Sequence, residues 1–365
     1  MEINECIEKI VYYGTLAPSA DNCQPWQFNW DGNTLYLLKV PERSIFFYDI
    51  KQESILITFG AVIENIKIAA SYFGLIPKIT ILPKGLSSNI VATINFYKDD
   101  ICVDPLFSGL AERHTNRNPF YSKEIQDKLL KDILNEVNTY LNTYYGVEIH
   151  ILKKEKEKQI FKDIIYKSDI VLFEEYRLYD CLFKWIRFEK SVIEPSEGMS
   201  LNVLGLNSIQ KILFPLLAHW PVVSFLNRFG LSKLIARNSL NLLSNTPAYI
   251  LLTTKNNRSI DYLFGGMAME RFWIAANNVG LSIQPMFGFI FLINHYLYDN
   301  GQKFHKRHQK LIQRIYAYFL ETKIKGLPIA FFRLGYASRP KVRTKRRSLE
   351  EVLKIKNPQL EFNSY

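Results

Sequence analysis

A loop near the N-terminus carries the first residues whose types suit ligand binding. Pro18 and Pro25 fix the backbone at its two ends, and Ser19, Asn22 and Gln24 lie between them. These neutral side chains donate and accept hydrogen bonds, which suits the edge of a neutral heterocycle better than a phosphate or a metal. The alternative is an ordinary loop between a helix and a strand, with Ser and Asn in turn positions. Composition alone favours that alternative.

A second segment places Arg113 and Arg117 around His114 and Thr115. Two guanidinium groups and a hydroxyl so close in sequence can fork around a phosphate. The segment also follows a predicted helix over residues 104–114, and cations are favoured at the C-terminal end of a helix. A purely structural role is therefore an alternative.

A third segment runs through Pro285, Met286, Phe287 and Gly288. Because Gly288 has no side chain, a ligand can approach the backbone closely there. The alternative is a plain strand that contains a glycine.

The C-terminal region is densely basic, and Arg346 and Arg347 lie at the end of its basic run. Residues 339–347 carry six cations and no acid. Such a run is typical of a solvated tail or a nucleic-acid contact. The chain has no recognition-helix, zinc-finger or RNP sequence pattern, so we expect no nucleic-acid partner.

Several enzyme classes are excluded by sequence pattern. The chain carries no GxSxG elbow, no HExxH motif, no P-loop and no glycine-rich dinucleotide fingerprint. Its four cysteines stand far apart, which predicts no metal site and a reducing compartment. The N-terminus lacks the pattern of a secretory signal, so we expect a cytoplasmic protein. A chain poor in catalytic side chains but rich in ligand-holding loops fits an enzyme whose cofactor does the chemistry.

Hydrophobic periodicity predicts the elements that position these segments. Helices are predicted over 4–16, 54–73, 104–114, 124–145 and 260–279, and mostly helical, irregular structure over 155–245. Strands are predicted over 34–40, 78–82, 90–97, 147–152, 248–254 and 329–336.

Two of the helical segments form an internal repeat. The segments 60–75 and 266–281 match at seven of sixteen positions with an offset of 206. The matches include Glu64 with Glu270 and Gly60 with Gly266, which a shared amphipathic pattern does not explain. A duplicated unit would let the two halves pair as the subunits of a two-fold dimer do.

The net charge of +11 makes an anionic partner worth considering. The segment 212–226 is nearly all apolar, but it is too short to span a membrane and contains two prolines. We predict no membrane span and a buried or lid-like helical segment. A role at a membrane surface is the less favoured alternative.

Together, these segments resemble the nitroreductase superfamily of FMN-binding oxidoreductases. The run from Ala17 to Trp26 is similar to that family's flavin-contact loop, and the run from Arg113 to Arg117 is similar to its Arg-x-Ser/Thr-x-Arg/Lys motif. Gln284 to Gly288 resembles the segment that faces flavin N5. Arg333 to Arg347 resembles the C-terminal phosphate-contact region.

The order of these motifs is unusual for the family. In ordinary nitroreductases the arginine motif precedes the Pro-Ser-Asn loop, and two FMN sites form at a homodimer interface. Here the order is reversed and each motif occurs once. Order and repeat together resemble the Acg-like branch, in which two fused halves keep one flavin site and a long insertion acts as a lid.

The resemblance implies roles for the residues at the phosphate. Arg113 and Arg117 would pair with the FMN phosphate, helped by Arg346 or Arg347, while His114 and Thr115 contact the phosphate and ribityl region.

It also implies roles at the isoalloxazine ring. Pro18, Ser19 and Asn22 would reach the ring, with Gln24 supporting their loop. Gly288 would donate its N–H to flavin N5 and stabilise the charge that develops there on reduction. Pro285, Met286 and Phe287 complete that segment. Several family members carry an acidic residue where this chain has Phe287, which leaves the reductant open.

The predicted fold is α+β: two related halves, each a mainly antiparallel sheet with packed helices, forming a pseudo-dimer. Residues 1–103 are the first half. Residues 104–365 are the second half, with a lid-like insertion at about 190–245 and the basic tail. We expect a monomer, with a weak homodimer as the alternative.

The resemblance implies hydride transfer through flavin N5 between NAD(P)H and an organic acceptor, with nitroaromatics and quinones as the acceptors typical of the family. One alternative is a flavin-sequestering protein whose lid permits little turnover. Another is a flavin dehydrogenase in a biosynthetic pathway.

Overall fold

The computed structural model describes residues 3–99, 101–141, 146–188 and 195–355. The helices are α1 (Ile3–Thr15), α2 (Glu53–Tyr72), α3 (Asp127–Leu141), α4 (Glu155–Glu174), α5 (Tyr176–Phe183), α6 (Ser208–Leu213), α7 (Trp220–Asn227), α8 (Leu231–Ser244), α9 (Ser259–Asn278), α10 (Gly288–Asp299), α11 (Lys306–Glu321) and α12 (Leu349–Val352). The strands are β1 (Trp26–Trp30), β2 (Thr34–Lys39), β3 (Leu75–Ile81), β4 (Ile90–Lys98), β5 (Val147–Leu152), β6 (Ile186–Arg187), β7 (Met199–Ser200), β8 (Ala248–Thr254), β9 (Ser282–Pro285), β10 (Leu327–Gly335) and β11 (Leu353–Ile355).

Two mainly antiparallel sheets, each with helices packed on it, organise the chain. The first has the strand order β11-β1-β2-β4-β3, and the second has the order β5-β8-β10-β9. Every pairing in them is antiparallel except that of β11 with β1. The predicted α+β class is confirmed. A short parallel pair, β6 with β7, lies apart from both sheets.

Helices α2 and α9 pack against each other between the two sheets. Helix α2 carries apolar residues on all of its faces, and nearly its whole length is buried. A Cβ atom at Gly60 would overlap the carbonyl oxygen of Leu263, and one at Gly266 would overlap the carbonyl oxygen of Ile57. The two backbones are therefore in direct contact, which only glycine permits at these positions.

These contacts are reciprocal at the offset of the sequence repeat. Gly60 and Gly266 are repeat equivalents, and so are the residues that each one faces, Leu263 and Ile57. Four residues further along, Arg271 donates to Glu64 over 2.7 Å, and the repeat-related Asn65 lies beside Glu270. An interface in which residue i meets j and j meets i is the pattern of a two-fold axis.

The C-terminal region crosses from the second sheet to the first. After β10 the chain runs past the loop at 18–25 and ends in β11, where Leu353 is paired with Phe28 of β1. The alternative of a solvated basic tail is wrong for residues 337–355. Backbone pairing with β1 and burial of Val352 hold this region on the first sheet.

Several element predictions are wrong. Residues 104–114 form no α-helix: they hold a single 3-10 turn, Phe107–Gly109, and Gly109 packs against Asn278 of α9. Gly288 opens α10 rather than lying in a strand, and neither α10 nor α11 was predicted. Helix α3 ends at Leu141, and the predicted continuation over 142–145 lies outside the described residues.

The insertion is helical, and its apolar stretch is only partly buried, so of the two predicted alternatives the buried segment is wrong and the lid-like segment stays a prediction. Its beginning, residues 189–194, lies outside the described residues. Helices α6 and α7 and the 3-10 turn between them pack only one face onto the protein, so Ile212 and Phe225 are 76% and 56% exposed.

One helix in the described chain is long and apolar enough to cross a membrane, namely α2, and 94% of that window is buried inside the fold. The segments Ser208–Ala218 and Trp220–Asn227 pass the same test only when taken together, and they are bent by 105° where they meet. By burial, α2 is a core helix.

Candidate functional site

A cavity of about 960 Å³ lies beside α2 and α9. Its wall contains residues from all four segments identified in the sequence: Pro18, Ser19, Asn22, Arg113, His114, Thr115, Arg117, Pro285, Phe287, Gly288 and Arg346. Of the predicted site residues, Gln24, Met286 and Arg347 do not line it. The fold thus brings together segments that are up to 328 residues apart, from Pro18 to Arg346.

The first loop has an unusual backbone. Asp21, Asn22 and Gln24 all adopt positive φ angles, of 50°, 58° and 48°. Residues other than glycine rarely do so, and such conformations persist only where surrounding contacts enforce them. Here the Ser19 hydroxyl accepts a hydrogen bond from the Gln24 amide over 3.0 Å. The loop is therefore held in one conformation at the cavity wall.

Asn22 ties this loop to the insertion and the tail. Its side-chain nitrogen donates to the carbonyls of Gly198 and Lys345, over 2.9 and 3.1 Å. Its side-chain oxygen accepts from Arg346 over 3.0 Å. These bonds occupy the amide, so Asn22 fixes the position of the loop.

Gln24 lies behind the loop, fully buried. Its side-chain nitrogen donates to the Ser196 carbonyl over 2.6 Å, and its oxygen accepts from the backbone of Arg347 over 2.9 Å. This is the supporting position that the sequence suggested for Gln24.

Arg113 is buried and already holds an acidic partner. Its Nε lies 2.8 Å from Oε1 of Glu270, and its Nη2 donates to the Leu16 carbonyl over 2.7 Å. The guanidinium also stacks 4.8 Å from the ring centre of Trp273. Burial lowers the pKa of Arg113, an effect that Glu270 opposes. Burial raises the pKa of Glu270, opposed by Arg113 and Arg346. Much of the Arg113 charge is thus compensated inside the protein.

Arg117 binds the insertion, and Asp21 is its acidic neighbour. The guanidinium of Arg117 donates to the Val203 carbonyl over 3.2 Å and contacts the Met199 sulfur at 3.5 Å. Burial raises the pKa of Asp21 to about 6, against the attraction of Arg117. Asp21 also lines the cavity, and the sequence motif assigned no role to its position.

His114 is held by its backbone and is neutral. Its N–H donates to Asn277 over 2.9 Å, and its carbonyl accepts from Trp273 over 3.0 Å. Burial, helped by Arg343 and Arg113, lowers the pKa of the imidazole to about 4. Nδ1 lies 2.7 Å from the Glu112 carbonyl. Because a carbonyl only accepts, Nδ1 carries the proton and Nε2 is an acceptor.

Asn116 is a site-building residue that the sequence did not identify. It is fully buried, and its side chain donates to Ser282 Oγ and to the Ser338 carbonyl, both over 2.9 Å. It therefore joins the arginine motif to β9 and to the tail. A polar residue between two motif positions gave no indication of these distant partners.

Gly288 presents its backbone at the cavity as the first residue of α10. The first N–H groups of a helix have no partner within it and carry partial positive charge. A Cβ atom at Gly288 would lie 3.1 Å from Ser168 Oγ, so a larger residue would crowd this wall. The neighbouring Met286 instead turns its N–H to the Phe331 carbonyl, over 2.9 Å.

The two arginines of the tail differ. Arg346 donates to the carbonyls of Thr15, Leu16 and Ala17 over 2.9–3.2 Å, where it stabilises the C-terminal end of α1. Arg347 lies outside the cavity and pairs with Glu197 and Glu351. Both guanidinium groups thus have protein partners.

The charged part of the wall is almost wholly cationic. It holds one carboxylate, Asp21, and seven cations: Arg113, Arg117, Lys211, Arg339, Lys341, Arg343 and Arg346. Lys341 and Arg343 come from the tail and were not predicted as site residues. Within the described residues, no group of three or more His, Cys, Asp or Glu side chains is placed to hold a metal ion. The site suits an anionic ligand.

No family model matches the chain. Over 335 residues it is 22% identical to an uncharacterized protein of Mycobacterium tuberculosis (strain CDC 1551 / Oshkosh), covering 91% of this chain and 46% of that protein. The chain thus spans about half the length of the curated relative that it matches.

Solved structures similar to the chain include a nitroreductase-like family protein from Bacillus cereus, with a TM-score of 0.36, 14% identity, and 67% of this chain and 92% of that chain covered. They also include a nitroreductase with bound FMN from Bacteroides fragilis, with a TM-score of 0.35, 9% identity, and 67% and 94% covered. An FMN- and NADPH-dependent nitroreductase from sphigopyxis sp. strain HMH has a TM-score of 0.39, 12% identity, and 69% and 99% covered. All three belong to the group that the sequence motifs resemble. Because these TM-scores are below 0.5, the function proposed below rests on the site itself.

Proposed function

We propose that the chain binds FMN in this cavity and is an FMN-dependent oxidoreductase, transferring hydride between NAD(P)H and an organic acceptor such as a nitroaromatic or a quinone. The observation that carries the proposal is the convergence of the loop at 18–24, the motif at 113–117 and the segment at 285–288 on one cationic cavity. A bound flavin would supply the two-electron redox chemistry.

The wall offers separate partners for the two ends of FMN. Arg113, Arg117 and Thr115 would hold the phosphate, with Lys341 and Arg343 as further cations. At the ring, Gly288 would donate its N–H to N5. Arg346 and Gln24 would keep the loop in place rather than contact the ligand. A volume of about 960 Å³ lies within the usual range for such sites and leaves space for a second ligand.

The reciprocal contacts of α2 and α9 support a second part of the proposal. The chain is two related halves, residues 1–103 and 104–365, that pair as a homodimer would. The basic tail and the loop at 18–25 then belong to different halves, so both halves contribute to the single flavin site.

The first experiment is an absorbance spectrum of the purified protein, followed by release of the chromophore and mass spectrometry. We expect FMN, because the wall has one cationic region suited to one phosphate and the sequence has no dinucleotide fingerprint. FAD, or no flavin after reconstitution, would contradict the proposal.

Arg117→Ala tests the phosphate contact. A charge-assisted hydrogen bond is worth roughly 1.5–3 kcal/mol, so FMN binding should weaken roughly tenfold to a hundredfold. Riboflavin, which lacks the phosphate, should bind almost as it does to the wild type. Flavin fluorescence titration of the apoprotein measures both.

The control for this titration is Arg314→Ala, because Arg314 is exposed on α11 and lies outside the cavity wall. Equal weakening of FMN and riboflavin by Arg117→Ala would mean that Arg117 supports the fold and not the phosphate.

A flavin-sequestering protein is the second candidate, favoured by the contact of the insertion with the site. Val203 and Met199 of the insertion bind Arg117 at the cavity wall. Stopped-flow reduction of the bound flavin by NADH and NADPH distinguishes the two candidates. Reduction within seconds supports the oxidoreductase, and a flavin that stays oxidised supports sequestration.

A further inference from the structure

The outer face of the insertion concentrates exposed apolar side chains. Of the twenty-two large hydrophobic residues that are exposed in the described chain, eight lie between residues 209 and 234. They are Ile209, Ile212, Leu213, Leu216, Val222, Phe225, Phe229 and Leu234, referred to below as the insertion face. A contiguous apolar patch on a water-facing surface is costly and usually marks an interaction site.

Helical spacing places these residues opposite the face that packs on the protein. Ile209, Ile212 and Leu216 recur at intervals of three and four, whereas Phe214 points inward and stacks on Phe183 at 5.7 Å. At the end of α7, the rings of Phe225 and of Phe229, which follows the helix, lie 5.3 Å apart on the exposed side. Val223 of α7 is fully buried. The insertion face is therefore the outer side of a helical segment whose inner side is packed on the protein.

The charged side chains within the insertion have one sign. Residues 198–260 contain no Asp or Glu, and Glu174 of α4, which contacts this segment through Ser232, is largely buried. Arg228, Lys233 and Arg237 are exposed beside the apolar side chains, and Lys211 lies between Ile209 and Ile212 in sequence. A surface that joins aliphatic and aromatic side chains to lysine and arginine, without any acid, matches the chemistry of an anionic bilayer.

We propose that the insertion face docks the protein on an anionic membrane surface, with its apolar side chains in the interfacial layer and its cations at the lipid headgroups. The segment lies on the membrane and does not cross it, because Ser208–Ala218 and Trp220–Asn227 meet at 105° and their inner sides are packed on protein. A second copy of the chain is a poorer partner, since pairing two such faces would bring like charges together.

Docking on this face would place the cavity close to the membrane. Residues 202–206 and Lys211 line the cavity, and the insertion face begins at Ile209. Lys211 also donates to Asn202 over 3.0 Å, which fixes the start of α6 to the cavity wall. The proposal needs no flavin chemistry, so its test is independent of the proposed function.

The test is co-sedimentation of the full-length protein with vesicles. We expect binding to vesicles of equal parts phosphatidylglycerol and phosphatidylcholine, much weaker binding to phosphatidylcholine alone, and loss of binding as salt is added. Ile212→Ser combined with Phe229→Ser should reduce the partition coefficient at least tenfold, because both side chains would enter the interfacial layer. Lys233→Ser should reduce it roughly fivefold.

Matched controls exist elsewhere on the surface. Ile45 is 76% exposed, as is Ile212, so Ile45→Ser removes the same side chain at the same exposure. Lys84→Ser is the counterpart of Lys233→Ser, since both lysines are exposed. Both controls should bind vesicles as the wild type does.

Three outcomes would overturn the proposal. The first is a wild type that does not bind the anionic vesicles, and the second is a loss of binding in the controls as large as in the variants of the insertion face. The third is a dimer in light scattering that Ile212→Ser with Phe229→Ser converts to a monomer, which would make the face a contact between copies. Circular dichroism of each variant establishes that it is folded.

Discussion

At the residue scale, the site depends on side chains that serve the protein as well as a ligand. Arg113 is the clearest case, because it lines the cavity yet pairs with the buried carboxylate of Glu270. Removing one partner of a buried pair leaves the other charge without compensation. The effect of a variant on ligand binding must therefore be separated from its effect on stability.

Arg113→Ala should lower the free energy of unfolding by about 3–5 kcal/mol, because Glu270 would remain buried without its partner. Adding Glu270→Gln should restore much of that loss, since the amide carries no charge. Urea unfolding followed by circular dichroism gives both values. Lys154→Ala, which removes an exposed ion pair with Glu157, should change little. If the double variant is no more stable than the single one, the pair does not account for the cost.

At the element scale, the contact between α2 and α9 and the network at the end of α4 are the features to test. The helix contact depends on glycine because the backbones touch. The network joins α4, α5, α8 and α11 through His308, which lies 3.4 Å from Glu174 and 3.5 Å from Glu175. Glu174 also accepts from Ser232 of α8 over 2.6 Å.

Gly266→Ala should destabilise the protein strongly, by at least about 1–3 kcal/mol, because its methyl group would overlap the backbone of Ile57 in the facing helix. Gly265→Ala is the matched control in the same helix. Its methyl group would meet only the terminal carbon of the Ile329 side chain, which can rotate away. Thermal unfolding of the two variants compares them directly. Equal losses would show that helix packing, and not backbone contact, sets the cost.

The His308 network predicts a pH dependence of stability. Burial opposes charging of the imidazole, but hydrogen bonds to Glu174 and Glu175 outweigh it and raise the pKa of His308. A raised pKa means that the folded state binds the proton more tightly, so this stabilisation is complete below about pH 6.5 and is lost as pH rises through the folded-state pKa.

The free energy of unfolding of His308→Gln should consequently fall less than that of the wild type between pH 6 and pH 8. The neighbouring Arg307 and Arg177 pair with Glu174 and Glu175 and are present in both proteins. Urea unfolding across the pH range tests this. Parallel curves for variant and wild type would contradict the assignment to His308.

At the scale of the whole molecule, segments near the two ends of the chain contact each other. The α2–α9 contact has the reciprocity of a two-fold interface, and β11 at the C-terminal end of the described chain pairs with β1 of the first sheet. If the halves supply for each other what a partner subunit supplies elsewhere, no second chain is needed to build the site.

We therefore expect a monomer that binds one FMN per chain. Light scattering at micromolar concentration gives the mass, and flavin absorbance against protein concentration gives the stoichiometry. An obligate dimer in which two chains share each flavin would contradict the fused-half proposal. A dimer lost in the Ile212→Ser, Phe229→Ser variant, with one flavin still bound per chain, would leave that proposal intact.

The sequence by itself determined the features that depend on neighbouring residues. Hydrophobic periodicity placed α1, α2, α9 and most strands within a few residues, because one face of each element must be buried. The repeat of Gly60 with Gly266 anticipated a close contact, because only glycine permits it. The types of Arg113 and Arg117 indicated a site for a phosphate and Gly288 a close approach of a ligand to the backbone, and all three line the cavity.

Only the tertiary structure decided which partner each side chain has. Arg346 and Arg347 are equivalent as sequence, yet one lines the cavity and the other pairs with Glu197 outside it. Asp21 and Lys341 line the cavity, and Asn116 joins the arginine motif to Ser282 and Ser338 beside it. The apolar run of the insertion gave no indication that Ile212 would face outward. These outcomes depend on contacts between residues far apart in the chain, and local composition and spacing do not encode such contacts.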